Sequence, residues 1–131
     1  MRPELALRIA RPVSDLARAE RLYKTALDLD VLARFEGHQG FDGVMLGQAG
    51  MAWHFEFTYC HTHPVKPSPT VDDLVVLYEP DVQKWQALCA KFETEGFVRV
   101  ASFNPWWDVS GRTFEDFDGY RIVLQNGNWD A

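Results

Sequence analysis

Apolar and polar side chains alternate strictly through Trp53-His54-Phe55-Glu56-Phe57-Thr58. A strand sends alternate side chains to opposite faces of its sheet. Trp53, Phe55 and Phe57 therefore share one face, and His54, Glu56 and Thr58 share the other. The aromatic face needs a helix to cover it. The polar face carries an imidazole and a carboxylate two residues apart, where Lys, Thr or Ser would serve a face that is merely solvated.

The same reading extends to both sides of this stretch. Leu5, Leu7 and Ile9 alternate with Ala6, Arg8 and Ala10, which predicts a first strand ended by Pro12. Ser14 is a helix N-cap candidate, with Asp15 favoured in the first turn by the helix dipole. Leu16, Ala19, Leu22, Tyr23, Ala26 and Leu27 then recur at helical spacing, through about Leu27. Short strands follow around 31–35 and 43–46, separated by the turn-rich Gly37-His38-Gln39-Gly40, and a second turn spans 47–50.

Pro64, Pro67 and Pro69 make 61–70 a linker, because proline fits neither a helix interior nor a central strand. Leu74 to Tyr78 reads as a new strand and Pro80-Asp81 as a helix start. Val82, Trp85, Leu88, Cys89 and Phe92 form an apolar stripe closed by Gly96. Strand-like segments follow at 97–103 and 112–115, then a tight turn at Asp116-Phe117-Asp118-Gly119 and a last strand at 120–125. The second half thus repeats the first: strand, helix, three strands. With Asp15 set on Asp81, Leu16 meets Val82, Ala19 meets Trp85, Leu22 meets Leu88 and Ala26 meets Phe92, while Phe55 and Phe57 match Ile122 and Leu124. A repeated βαβββ unit predicts an α+β fold of two tandem modules, about 1–60 and 71–126, within one domain spanning 1–131, since neither half alone has enough core.

Composition narrows the classes. The 131 residues carry a net charge of −6, against nucleic acid, whose binders need a basic face. No run of about 18 apolar residues is present, so no membrane helix is expected. Met1-Arg2-Pro3-Glu4 leads into a strand with no signal-peptide core, and Cys60 and Cys89 are the two cysteines. Two thiols in such a chain are expected to be reduced, and the expected location is cytoplasmic.

The duplicated βαβββ order resembles the vicinal oxygen chelate superfamily, which includes glyoxalase I, bleomycin- and fosfomycin-resistance proteins and extradiol dioxygenases. The residues carrying the resemblance are Pro12-Val13-Ser14-Asp15-Leu16 with Tyr23 and Leu27, and the run from Arg112 to Ile122 into the final strand. The resemblance implies two mixed sheets curled into a cup, often completed by a homodimer, with Trp106, Trp107 and Trp129 as candidate subunit contacts. It also implies four metal-ligand positions, one on the first and last strand of each module, which fall here on Arg8, Glu56, Leu74 and Val123. Of these only Glu56 can bind a divalent ion, which wants carboxylates, imidazoles or thiolates. No cofactor is therefore expected, and the cationic Arg8 would partly replace the ion's charge and grip a ligand carboxylate or phosphate.

Glu56 is read as a ligand-contacting carboxylate or as the partner of Arg8 or Arg121, and the two readings are compatible. His54 is read as a hydrogen-bonding pocket histidine. The alternative is a displaced metal site of His54 and Glu56 holding Zn, Ni, Mn or Fe, since His-x-Glu on one strand can chelate. Cys60-His61-Thr62-His63 lacks zinc-finger spacing and reads as a solvated loop, and Cys89 as a core residue. The adjacent Trp106 and Trp107, beside Pro105, cannot both face one core, so one lines the cup mouth or a subunit contact. The ligand-binding set is Arg8, His54, Glu56, Tyr78, Trp106, Trp107 and Arg121. The function expected is small-molecule binding of the glyoxalase/bleomycin-resistance kind without the standard metal centre. The alternatives are a metal-dependent lyase, isomerase or dioxygenase with a rearranged site, and an interaction domain whose cup is vestigial.

Overall fold

The computed structural model describes residues 2–129. The chain divides into two compact units, 1–67 and 68–131, and the break falls inside the predicted linker.

In the first unit the strands are β1 (Leu7–Pro12), β2 (Asp30–His38), β3 (Phe41–Gly47) and β4 (Trp53–Cys60), with helix α1 (Leu16–Leu27) between β1 and β2. The sheet order is β1-β4-β3-β2. β1 runs parallel to β4 and the other pairings are antiparallel. Asp15, rather than Ser14, caps α1: its carboxylate accepts from the Arg18 N–H at 3.0 Å. Serine and aspartate are both good caps, and the sequence does not separate neighbours. Tyr23 of α1 is fully buried between Phe55 and Phe57, at centroid distances of 5.2 and 4.6 Å. That edge-to-face cluster is the cover the aromatic face required, and such pairs add about 0.5–1.5 kcal/mol beyond area burial. Leu5 and Leu7 stay exposed, so the apolar face predicted for the first strand is only partly covered.

The β2–β3 hairpin is longer than the sequence suggested. His38 pairs with Phe41, leaving only Gln39 and Gly40 as the turn, both at positive φ as a type I′ turn requires. Gly37, at φ 62°, sits in the register shift between Phe35 and His38. What reads as a loop is a tight turn plus a bulge.

In the second unit the strands are β5 (Leu74–Tyr78), β6 (Val98–Val100), β7 (Gly111–Glu115) and β8 (Arg121–Gln125), with helix α2 (Val82–Glu95) and a short α3 (Trp106–Val109). The order β5-β8-β7-β6, with β5 parallel to β8, repeats that of the first unit. Asp81 caps α2 as Asp15 caps α1, so the repeat alignment matches the two helices cap for cap. Phe92 packs on Phe97 and Phe114 at 4.5 and 5.3 Å, and the Trp85 indole donates to the Leu124 carbonyl at 2.9 Å. β6 is shorter than the predicted strand because Ser102 turns back onto Asp108, donating N–H and hydroxyl to its carboxylate. Asn104 then accepts from the Trp106 N–H, starting the helical turn of α3. Among the described residues no helix is long and apolar enough to cross a membrane.

Candidate functional site

The face of the first sheet opposite α1 is set by β4. Since Phe55 and Phe57 turn toward Tyr23, His54 and Glu56 must turn away from the helix. Parallel pairing places Arg8 beside His54, and antiparallel pairing places Met45 opposite Glu56. Val44 and Leu46 are fully buried, which turns Met45 to the polar face by the same alternation.

These side chains converge on one guanidinium. Arg8 Nε donates to His54 Nε2 at 2.9 Å, Nη1 to Glu56 Oε2 at 3.4 Å and Nη2 to Met45 Sδ at 3.7 Å. Its remaining N–H groups have no partner among the described residues, and an Arg carries no acceptor. A guanidinium N–H can only donate, so His54 Nε2 carries the lone pair and the ring proton sits on Nδ1. Arg8 has 47% of its side-chain surface exposed and Glu56 only 15%, so a half-solvated cation covers a mostly buried carboxylate. A β-carbon on Gly47 would stand 2.9 Å from His54 Cβ and 3.0 Å from Leu32 Cδ1, so the glycine lets both side chains lie against β3.

Of the two arginines the sequence offered to Glu56, Arg8 is the one that takes it. Arg121 lies in the second unit, buried, donating Nε to Glu115 Oε2 at 2.8 Å and Nη1 to the Val71 carbonyl at 3.4 Å. Tyr78 ends β5 with its ring 6.3 Å from that of Trp129. Trp106 is exposed on α3 and Trp107 half-buried. The structure thus gathers Arg8, His54 and Glu56 on one sheet face and distributes Tyr78, Trp106, Trp107 and Arg121 over different elements of the second unit.

Two features escaped the sequence reading. Met45 was legible only from the alternation Val44-Met45-Leu46, whose period could have assigned it to the face of Glu56. The other is Asp42: its Oδ2 meets His61 Nε2 at 2.6 Å and its Oδ1 accepts from the Gly37 N–H at 2.9 Å. The His61 hydrogen bond, then the Gly37 N–H, hold this carboxyl below its ordinary value. His61, expected in a solvated loop, is exposed but anchored to the hairpin. The Cys60 thiol is drawn down, first by the Thr62 hydroxyl, and burial pushes the Cys89 thiol up.

The superfamily's divalent ion does not fit this arrangement. The His54 lone pair and the bonded Glu56 oxygen that it would need both face Arg8. Among the described residues no group of three His, Cys, Asp or Glu side chains converges on a common point.

Two four-stranded mixed sheets, each built by a βαβββ unit, define the vicinal oxygen chelate fold of glyoxalases and of bleomycin- and fosfomycin-resistance proteins. Within that fold, residues 7–58 match the YycE-like N-terminal domain and residues 72–126 the YycE-like C-terminal domain. The chain belongs to the YycE-like family. It is 39% identical over 120 residues to the uncharacterized protein YycE of Bacillus subtilis strain 168, covering 92% of this chain and 86% of that one. The crystal structure of a YycE protein of unknown function from Bacillus subtilis superposes with a TM-score of 0.89 at 37% identity, over 98% of this chain and 93% of that one. More distant in sequence are the fosfomycin resistance protein FosX of Mesorhizobium loti (TM-score 0.72, 12% identity, 98% and 95% covered) and TnmS3, an antibiotic-binding protein of Streptomyces sp. CB03234 (0.64, 23%, 95% and 97%). These last two share the fold.

Proposed function

We propose that this protein binds a small molecule on the Arg8–His54–Glu56 face of its first sheet, without the metal ion that other members of the fold use. One observation carries the reading: a half-exposed guanidinium fixed on three sides, with N–H groups left over, beside a mostly buried carboxylate. A preorganised cation of this kind is suited to a carboxylate or carbonyl oxygen, and Glu56 to an adjacent hydroxyl or amine. The antibiotic-binding activity of TnmS3 supports binding as a use of the fold. We further propose a homodimer, with the exposed Trp106 and Trp129 as apolar contacts. Light scattering that finds only a species near 15 kDa at micromolar concentration would sink the dimer.

The binding reading is tested by thermal shift and calorimetry against neutral, anionic and cationic aromatic compounds. Molecules that bind should lose at least about tenfold in affinity in Arg8→Gln and Glu56→Gln, the scale of one charge-assisted hydrogen bond. A panel without a binder, or binders indifferent to both substitutions, would refute it. A rise in melting temperature when zinc, nickel, manganese or iron is added to the unaltered protein would favour the metal-dependent enzyme instead.

A further inference from the structure

The three atoms that hold Arg8 are an odd set for an arginine. Guanidinium groups select carboxylates and phosphates, which they grip through two parallel N–H bonds. Here the carboxylate contact is single and long, at 3.4 Å, while the closest acceptor is an imidazole nitrogen at 2.9 Å and the third a thioether sulfur at 3.7 Å. Thioether sulfur is a weak hydrogen-bond acceptor. Imidazole, carboxylate and thioether together are ordinary ligands of the borderline and soft transition metals.

We infer that Arg8 is the resident cation of a nitrogen–oxygen–sulfur pocket made by His54, Glu56 and Met45, and that removing its guanidinium turns this pocket into a transition-metal site. The disagreement between the fold's metal and these residues is then a substitution of one cation for another.

The backbone already arranges the pocket. His54 and Glu56 stand two residues apart on one strand face, and Met45 is paired with Glu56 across the β3–β4 ladder. Arg8 Nε donates to His54 Nε2, so that nitrogen carries a lone pair, directed at the guanidinium, through which an imidazole can ligate a metal. Arg8 itself reaches in from β1, the edge strand of the sheet, with nearly half of its side-chain surface exposed to water. A metal ion must therefore compete with a tethered cation. Apparent affinity in the unaltered protein falls by the fraction of time the guanidinium is in place.

The inference concerns the same face as the proposed function but requires no bound small molecule, so the two fail separately. The test uses the full chain, stripped with EDTA, as the unaltered protein, Arg8→Ala, Arg8→Gln and the double variant Arg8→Ala/His54→Ala. Zinc, nickel and copper ions alone are the probes, read by calorimetry, melting temperature and the visible bands of bound copper. Arg8→Ala is expected to bind one ion at least about tenfold tighter than the unaltered protein. A saturating ion should also raise its melting temperature by about 5 °C or more. The double variant should lose the gain, and Met45→Leu in the Arg8→Ala background should shift the copper bands. Equal affinity in Arg8→Ala and the unaltered protein, or a gain that survives His54→Ala, would overturn the inference. Arg8→Gln, shorter than arginine but polar and uncharged, reports if Arg8→Ala does not fold. Nitrogen NMR of the unaltered protein at neutral pH gives an arm with no variant: a protonated Nε2 on His54 would equally overturn it.

Discussion

Truncating the two members of the Arg8–Glu56 pair should have unequal consequences, and the inequality follows from their exposure. Sequence alone, taking the pair as buried, gives a few kcal/mol for Glu56→Ala, from the unpaired charge left behind. In the structure the charge left behind is Arg8, with nearly half its side chain in water and its stronger contact to His54 intact. Exposed ion pairs are worth about 0–1 kcal/mol, so Glu56→Ala should cost about 0.5–1 kcal/mol. Arg8→Ala is the harsher change. It strands a carboxylate only 15% exposed and removes the donor from the His54 lone pair, for about 1–2 kcal/mol. With urea slopes of about 1–3 kcal/mol per molar, the midpoint should fall by roughly 0.5–1 M for Arg8→Ala and about half that for Glu56→Ala. Both are measured by urea unfolding followed by circular dichroism, with EDTA present to keep adventitious metal from masking the loss in Arg8→Ala. The double variant should cost less than the sum of the singles, because each removes part of one interaction. A cost for Glu56→Ala that equals or exceeds that of Arg8→Ala would show that the exposure argument is wrong.

Three further outcomes are expected. In β3, a methyl group on Gly43 would run into the Phe35 ring that lies across it, so Gly43→Ala should destabilise by about 1–3 kcal/mol, and most of that cost should vanish in a Phe35→Ala background, measured by the same urea titration. The Asp42 carboxyl is held below its ordinary value when folded, so its contribution is present above the unfolded pKa and lost as pH falls through the folded one; between about pH 5 and 3 the melting temperature of the unaltered protein should drop more than that of Asp42→Asn, and equal slopes would refute the hairpin anchor. Cys60 should react with a thiol reagent at pH 8 well before the fully buried Cys89, and Thr62→Val should slow it by removing the hydroxyl that favours the thiolate; first-order labelling with Cys89 leading would contradict both thiol environments.

What the sequence made legible follows the strength of its periodicities. Strict alternation put His54 and Glu56 on one face of their strand, and Arg8 and Arg121 each on the face opposite their apolar neighbours, because a period of two admits no intermediate direction. That Arg8 stands beside His54 depends on the pairing of β1 with β4. The repeat held for the same reason: Asp15 and Asp81 open helices whose buried stripes both face a sheet. The parts that stayed hidden depend on pairing between distant segments. Nothing in Asp42 or His61 announces the other, since they meet only when β3 and the residue after β4 lie side by side. Met45 likewise gains its meaning from standing opposite Glu56. The hairpin length was missed because Gln-Gly is a weak turn signature next to Asn-Gly or Asp-Gly, and because Gly37 reads as a loop residue although it serves a bulge.

The two modules carry the same frame and solve the same charge problem differently. With Phe55 on Ile122, His54 falls on Arg121, Glu56 on Val123, Met45 on Thr113 and Arg8 on Leu74, and the strand ladders keep those correspondences in register. In the second module the arginine stands on the central strand, and a carboxylate faces it directly from the neighbouring one, Glu115 paired with Arg121 at 2.8 Å. The position of Glu115 corresponds to Gly47 in the first module, which offers no side chain at all. Arg8 comes instead from the edge strand and must take what lone pairs β4 and β3 present, an imidazole and a thioether as well as a distant carboxylate. One arginine is buried against a carboxylate made for it. The other is half in water with N–H groups to spare, which is why the proposed binding is assigned to the first module.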